Sequence, residues 1–366
     1  IGRYIQLSSF RGWENQEPKT LAAIDDFSLN YCYEAKQSRF KALAGAPIAY
    51  WLDKSMYKAF ENGIPLESYG TPKQGMATAD NNRFMRRWFE VKLADIDFHC
   101  MNVNHTIKKW YPHSKGGSLR RWYGNNEYVI NWKNNGSDIR SFEKAVVRNP
   151  DYYFKEGITW SDLTVSWFTA RRVPIGFTFD SAGPTFFAYD NSNLNYICGY
   201  FNSWVFQEFL NISCQGMHYS NGVLAKLPII WGTQEQVNEI SMLAETCIKI
   251  SKCDWDESEL SWEFKKHPLV SKSLSGEHSV ISKRITTFLE TLATRKLRLE
   301  MNEIRINKLF AKIYKMEHIM PSKGLCPPTL KDSNTRNEII GFISYAVGCM
   351  FCRYSFTLKE SCYRGL

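Results

Sequence analysis

The spacing of apolar residues changes at about Trp231, and that change constrains the fold more than any other feature of the sequence. From Asn81 to about Gly232, short runs of β-formers such as 88–91 (WFEV) and 128–132 (YVINW) are separated by turn residues, KGG at 115–117, YGNN at 123–126 and NNG at 134–136. Residues 175–180 alternate and meet a further turn, SAGP at 181–184. The stretch 194–210 has helical spacing, with Leu194, Ile197, Cys198, Phe201, Val205 and Phe209 on one stripe. Upstream, 46–52 reads as a strand or loop entry, 55–62 as a short helix stopped by Gly63, and 70–75 as a turn-rich loop. Beyond Trp231 the helical period dominates. A helix is expected over 233–251, a polar and aromatic connection over 255–270, and a long helix over 284–320 carrying Ile285, Phe288, Leu289 and Leu292 and ended by Pro321. A sheet face repeats every two residues and a helix stripe every 3.6, so the two halves belong to different layers. The expected class is α+β, with a β-rich region over 45–232, a helical region over 233–321, and flanking pieces at 1–44 and 322–366.

The charge is as unevenly distributed as the apolar pattern. The chain carries a formal +9, and between Lys73 and Pro150 there are 14 Lys/Arg against 7 Asp/Glu. That concentration points to a polyanionic partner, with a plain solvated surface as the alternative. Twelve Trp, 19 Tyr and 23 Phe supply more rings than one core needs, leaving some for stacking. Ten Cys are scattered without a disulfide framework and read as reduced, largely buried thiols. The longest apolar run, 339–351, is too short to span a bilayer and reads as a core helix. A cytoplasmic protein with no membrane partner is expected. Its start at Ile1 and its end at Gly365-Leu366 read as those of an excerpt.

Two segments concentrate cations among rings. In 73–91 (KQGMATADNNRFMRRWFEV), Asn81, Arg83, Arg86 and Arg87 have side chains suited to base edges or phosphates, while Phe84 and Trp88 would anchor the loop. In 108–132, Lys108, Lys109, Lys115, Arg120 and Arg121 interleave with Trp110, Tyr111, Trp122, Tyr123, Tyr128 and Trp132, and Gly116-Gly117 would let backbone N–H groups approach a phosphate. Arg171 and Arg172 are further candidates, and Gln215, His218 and Asn221 form a polar turn that adds a weaker one. The alternative is a β-domain with rings inside and cations in water.

At this point a resemblance becomes specific. The 73–91 segment, then 109–136 (KWYPHSKGGSLRRWYGNNEYVINWKNNG) and 147–161 (VRNPDYYFKEGITWS), resemble the C-terminal half of the adenine-specific DNA methyltransferases of BREX phage-resistance systems, the PglX family. So do 177–189 (FTFDSAGPTFFAY), 193–210 (NLNYICGYFNSWVFQEFL), 221–229 (NGVLAKLPI), 257–269 (ESELSWEFKKHPL), 307–314 (NKLFAKIY) and 342–355 (FISYAVGCMFCRYS). The resemblance implies that 45–232 is a target-recognition domain binding duplex DNA and 233–321 a helical spacer. It also implies that 1–44 is the connector from a methyltransferase domain lying upstream, with other proteins of the defence system as further partners. The parent enzyme would use S-adenosylmethionine. One departure stands out: Ala79 occupies a turn position where the family usually has Gly, which would strain the backbone if that position needs a positive φ.

The chemistry itself is not expected in this chain. An N6-adenine methyltransferase needs a Gly-rich cofactor turn and a [D/N/S]-P-P-[Y/F/W] loop beside the flipped base. Asn149-Pro150-Asp151-Tyr152 approaches the second but has Asp for one Pro. Cys349-x-x-Cys352 lacks a second pair for zinc, and Glu263-x-Lys265 lacks the upstream acidic strand of a nuclease. No catalytic residue, cofactor site or metal site is therefore assigned. An interaction module of the defence complex and an inactive gene fragment are the alternative readings.

Overall fold

The computed structural model describes residues 1–103, 105–163, 167–214, 218–270, 280–325, 327–351 and 353–354. The α+β class holds, with short strands before Trp231 and long helices after it. At the N-terminus β1 (Gly2–Ile5), α1 (Trp13–Asp25) and β2 (Cys32–Ala35) form a small unit in which the two strands pair antiparallel. Helix α2 (Lys54–Asn62) starts where the Asp53 carboxylate accepts the Ser55 N–H at 2.7 Å and stops at Gly63, as its sequence predicts. It leads into β3 (Ile64–Pro65) and β4 (Gly70–Lys73).

The central region contains α3 (Asn81–Phe84), β5 (Met85–Arg87), β6 (Trp110–Ser114), β7 (Tyr128–Asn131), α4 (Lys133–Arg140), β8 (Gly157–Thr159), β9 (Arg171–Val173), β10 (Thr178–Phe179) and β11 (Thr185–Ala188). These strands make two four-stranded sheets, ordered β4-β11-β8-β9 and β10-β6-β7-β5. Two local expectations shift. Residues 70–73 are strand β4, not loop, because they pair with β11 from Gly70–Ala188 to Lys73–Thr185. The strand near Trp88 lies earlier, at β5, and 88–90 form a 3-10 turn that buries the Trp88 ring.

The expected 194–210 helix is two helices, α5 (Leu194–Phe201) and α6 (Trp204–Ser213). Asn202 breaks it by turning its amide onto Ala170, with Oδ1 accepting the Ala170 N–H at 3.0 Å and Nδ2 donating to its carbonyl at 3.1 Å. The Ser203 hydroxyl then caps Phe206. After α7 (Asn221–Ala225) and β12 (Pro228–Ile229), which pairs with β3, come α8 (Gln234–Asp256), α9 (Ile281–Ile313) and α10 (Thr335–Met350). A reciprocal Thr233–Gln236 capping box opens α8. α9 ends at Ile313, short of Pro321, with Lys315 in the left-handed region at φ 57°.

The main core lies where α5, α6, α8 and α9 meet β8, and it buries Trp160, Tyr196, Tyr200, Phe206 and Phe310. A second core, around Tyr111, Ile130, Trp132, Tyr153 and Phe179, fills one face of the β5–β7–β6 sheet. A third, with Trp88, Trp110 and Val129, fills the other face and takes Trp262 from the connection after α8. α10 meets its expectation only in part: it is helical and packs Phe342, Tyr345 and Cys349 against Phe264 and Tyr354, but Ile339, Ile340, Ile343, Val347 and Met350 are exposed. All seven described cysteines are free thiols. Among the described residues no helix is long and apolar enough to cross a membrane.

Candidate nucleic-acid interface

Strand polarity decides which loops meet. In the antiparallel trio β5–β7–β6, Met85 lies opposite Ile130 and Ile130 opposite Tyr111; the next row is Arg86, Val129 and Pro112. The start of β5, the end of β7 and the start of β6 therefore share one rim. With both faces of the sheet filled, that rim is where polar side chains reach water. It presents Asn81 and Arg83 from α3, Lys108 and Lys109 from the approach to β6, and Lys133, Asn134 and Arg140 from α4, all exposed.

Each loop is held from within. The Asp80 carboxylate accepts the Arg83 N–H at 3.0 Å, and the Thr78 hydroxyl donates to Asn81 Oδ1 at 2.7 Å. Ala79, between them, has φ 56°, so the strain its position implied is present. The Arg83 guanidinium lies 5.1 Å from the Phe142 ring, tying α3 to the end of α4. Arg86 is half-buried: it donates to the carbonyls of Asn82 and Met85 and lies 6.0 Å from the Trp110 ring. It braces the rim. Lys108 Nζ donates to the Ile96 carbonyl at 3.0 Å, and Lys109 Nζ sits 5.3 Å from the Trp110 ring.

The NNG turn that closes β7 is unusual. Asn134, Asn135 and Gly136 are all left-handed, at φ 51°, 55° and 70°. The N–H groups of Asn134 and Asn135 donate to Thr106, to its carbonyl at 2.8 Å and its hydroxyl at 2.6 Å. Gly136 is required, because a Cβ there would lie 2.4 Å from the buried Trp132 ring. Arg140 stacks 5.5 Å from that same ring and donates to the Asn135 carbonyl at 2.8 Å. Lys133, Asn134 and Arg140 are not among the residues that charge and ring patterning single out. The signal for them is an Asn-Asn-Gly run directly after a strand, where αL conformations concentrate.

The other expected contacts are elsewhere, and four of them are internal. Arg121 is buried: its Nη2 donates to Glu303 Oε2 of α9 at 2.9 Å and to the Pro327 carbonyl at 2.6 Å. The Trp122 indole donates to the other oxygen of Glu303 at 2.7 Å. Burial pushes the Glu303 carboxyl up, against the pull of Arg121 and Trp122. Arg120 pairs with Asp254 of α8 at 2.9 Å, donates to the Ser251 carbonyl at 2.8 Å, and stacks 5.2 Å from Trp255. Arg171 is 1% exposed and donates to the carbonyls of Arg120 and Gly116; burial lowers it to about 10. Arg172 pairs with Glu156 at 2.8 Å. These four arginines pair with protein oxygens within the chain, Arg120, Arg121 and Arg171 from largely buried positions and Arg172 from a half-buried one, so they do not join the rim. The Gly116-Gly117 turn stands apart from the rim as well, and glycine is needed at its first position, where a Cβ would lie 2.8 Å from the Ala182 carbonyl.

Lys115 is half-buried at the far end of β6, its Nζ 3.6 Å from Met85 Sδ, and burial lowers its pKa. Arg87 is exposed on the last residue of β5, 5.9 Å from the Tyr128 ring. His218 is exposed and pairs with Asp162 at 2.9 Å, and Asn221 opens α7. Gln215 and Cys352 lie outside the described residues. In the Asn149-Pro150-Asp151-Tyr152 tract, Asn149 Nδ2 donates to the Gln74 carbonyl at 2.9 Å and the Tyr152 ring packs 4.9 Å from Phe187, so both side chains serve the fold. Among the described residues no three His, Cys, Asp or Glu side chains converge as a metal site.

No protein-family model matches the chain. Over 378 aligned residues, its full length, it is 33% identical to the adenine-specific methyltransferase PglX of Lacticaseibacillus casei (strain Zhang). Over 93% of its length it is 32% identical to the adenine-specific methyltransferase BrxX of Escherichia coli O9:H4 (strain HS). The chain spans 31% and 28% of these curated relatives. It is thus homologous, along its whole length, to about three-tenths of the PglX and BrxX adenine-specific methyltransferases.

Proposed function

We propose that this chain is the DNA-target-recognition and helical-spacer portion of a site-specific adenine-N6 DNA methyltransferase of a BREX-type phage-defence system. It grips duplex DNA through the rim of the β5–β7–β6 sheet and so positions an adenine for a methyltransferase domain elsewhere in the parent enzyme. The observation that carries the reading is the convergence of Asn81, Arg83, Lys108, Lys109, Lys133 and Arg140, from three separate stretches of sequence, at one rim of a sheet with both faces filled. Cations interspersed with amides are what a groove-reading surface requires: charge for phosphates and amides for base edges. Arg120, Arg121 and their carboxylate partners have a different job, locking the rim's sheet to α8 and α9 so that the adenine is presented at a fixed distance and angle.

In this reading S-adenosylmethionine and the adenine-holding loop belong to the upstream methyltransferase domain of a cytoplasmic enzyme, and the isolated chain transfers no methyl group. Titrating the complete chain with plasmid DNA at rising salt tests the proposal. Affinity should fall log-linearly with salt, and Lys108→Glu with Lys109→Glu should flatten the slope by about two, at roughly 0.9 per phosphate contact. Absent binding, or a slope indifferent to both lysines, refutes it.

A further inference from the structure

We propose that Asn134 is a base-reading residue, its amide directed at the major-groove edge of an adenine in duplex DNA. The inference rests on the duplex-binding reading above and goes beyond it by assigning specificity to one side chain. It starts from a cost. Two consecutive non-glycine residues, Asn134 and Asn135, are held at positive φ, where each L-residue loses about 1 kcal/mol or more. The conformation persists because Thr106 takes both N–H groups and Gly136 packs on Trp132.

A turn needed only to lead the chain out of β7 would be cheaper with glycine at 134. Asn134 keeps an exposed side chain instead, and its amide has no hydrogen-bond partner among the described residues. Two neighbouring amides are engaged: Asn131 Nδ2 donates to Asp138 at 2.9 Å and Asn81 Oδ1 accepts from Thr78, while Asn135 is half-buried, its Oδ1 turned away from solvent. Lys133 and Arg140 flank Asn134 in sequence, and Lys109 and Arg83 stand on the adjoining loops of the same rim. An unpaired amide on a fixed backbone among cations suits base readout: the cations fix the duplex, and Asn offers the acceptor–donor pair that matches N6 and N7 of adenine.

The test is selection from a random duplex library by the complete chain, comparing wild type with Asn134→Gly and Asn134→Asp. Glycine suits the left-handed backbone, so Asn134→Gly should melt at or above the wild-type temperature. It should lose roughly tenfold or more of the preference for adenine at one position of the selected site. Asn134→Asp, an acceptor alone, should move that position toward cytosine. Selection of an unchanged site by Asn134→Gly overturns the assignment. Wild-type chain that binds duplex but selects no sequence also overturns it, and leaves the duplex-binding reading standing. Wild-type chain that binds no duplex at all removes both.

Discussion

Replacing Arg121 by Met separates the two roles an arginine in the Arg120-Arg121-Trp122 run can have. In the structure its side chain is 3% exposed and that of its partner Glu303 is 9% exposed. The substitution leaves the Glu303 carboxylate in the interior with the Trp122 indole still donating to it, but without its counter-ion. Removing one member of a buried pair costs about 3–5 kcal/mol. Proton uptake limits the loss. Burial already raises the Glu303 carboxyl, and without Arg121 it rises further. A carboxyl raised in the folded state holds a proton that the unfolded chain gives up, so the deficit grows as pH climbs above the ordinary Glu range and shrinks toward acid. Urea unfolding of the complete chain, followed by Trp fluorescence, should show a loss of about 3 kcal/mol at pH 8 and a smaller one at pH 5.5. Arg121→Met combined with Glu303→Leu should recover much of it, with a coupling of about 1.5 kcal/mol or more. Salt-dependent affinity for plasmid DNA should be unchanged in whatever fraction stays folded. A loss below about 1 kcal/mol together with a flatter salt slope would restore Arg121 as a phosphate contact and refute the clasp.

Two more outcomes are expected from the same geometry. Ala79→Gly, at an exposed residue with φ 56°, should raise stability by about 0.5–1 kcal/mol in the same urea experiment, and a loss would mean that the turn is not left-handed in solution. His267 is buried beside Glu338 and Lys331, and burial lowers it from 6.5 to about 4. Its neutral form belongs to the folded state, so stability should be full above about pH 6.5 and fall by about 1–2 kcal/mol as pH drops toward 4. His267→Gln should flatten that acid limb, and an unchanged limb would assign it to other groups.

The elements with a strong local signal were legible in the sequence. Asp53 and Gly63 bound α2, Thr233 and Gln236 open α8, and the apolar stripe from Ile285 onward gives α9. What failed depended on distant partners. Residues 70–73 become a strand through β11, more than a hundred residues away in the chain, and Asn202 breaks a well-spaced helix because Ala170 offers it a backbone. Where each cation ends up depended on distant partners in the same way. Arg121 and Lys109 look alike in a window of charges and rings, yet the partner that internalises Arg121 is 182 residues downstream, while Lys109 reaches only the ring beside it. Ala79 left a question that only the backbone could answer: whether its turn needs a positive φ, which at 56° it has.

The β5–β7–β6 sheet has no free face. Tyr111, Ile130 and Trp132 occupy one side, and Trp88, Trp110 and Val129, with Trp262 laid over them, occupy the other. A mutation inside either cluster must be repacked by its neighbours, whereas a change at Lys133 or Asn134 disturbs no packed atom. The scaffold can therefore stay constant while its margin drifts, and homologues that exchange only the exposed residues at 133 and 134 should fold alike and, on the proposed reading, prefer different sites.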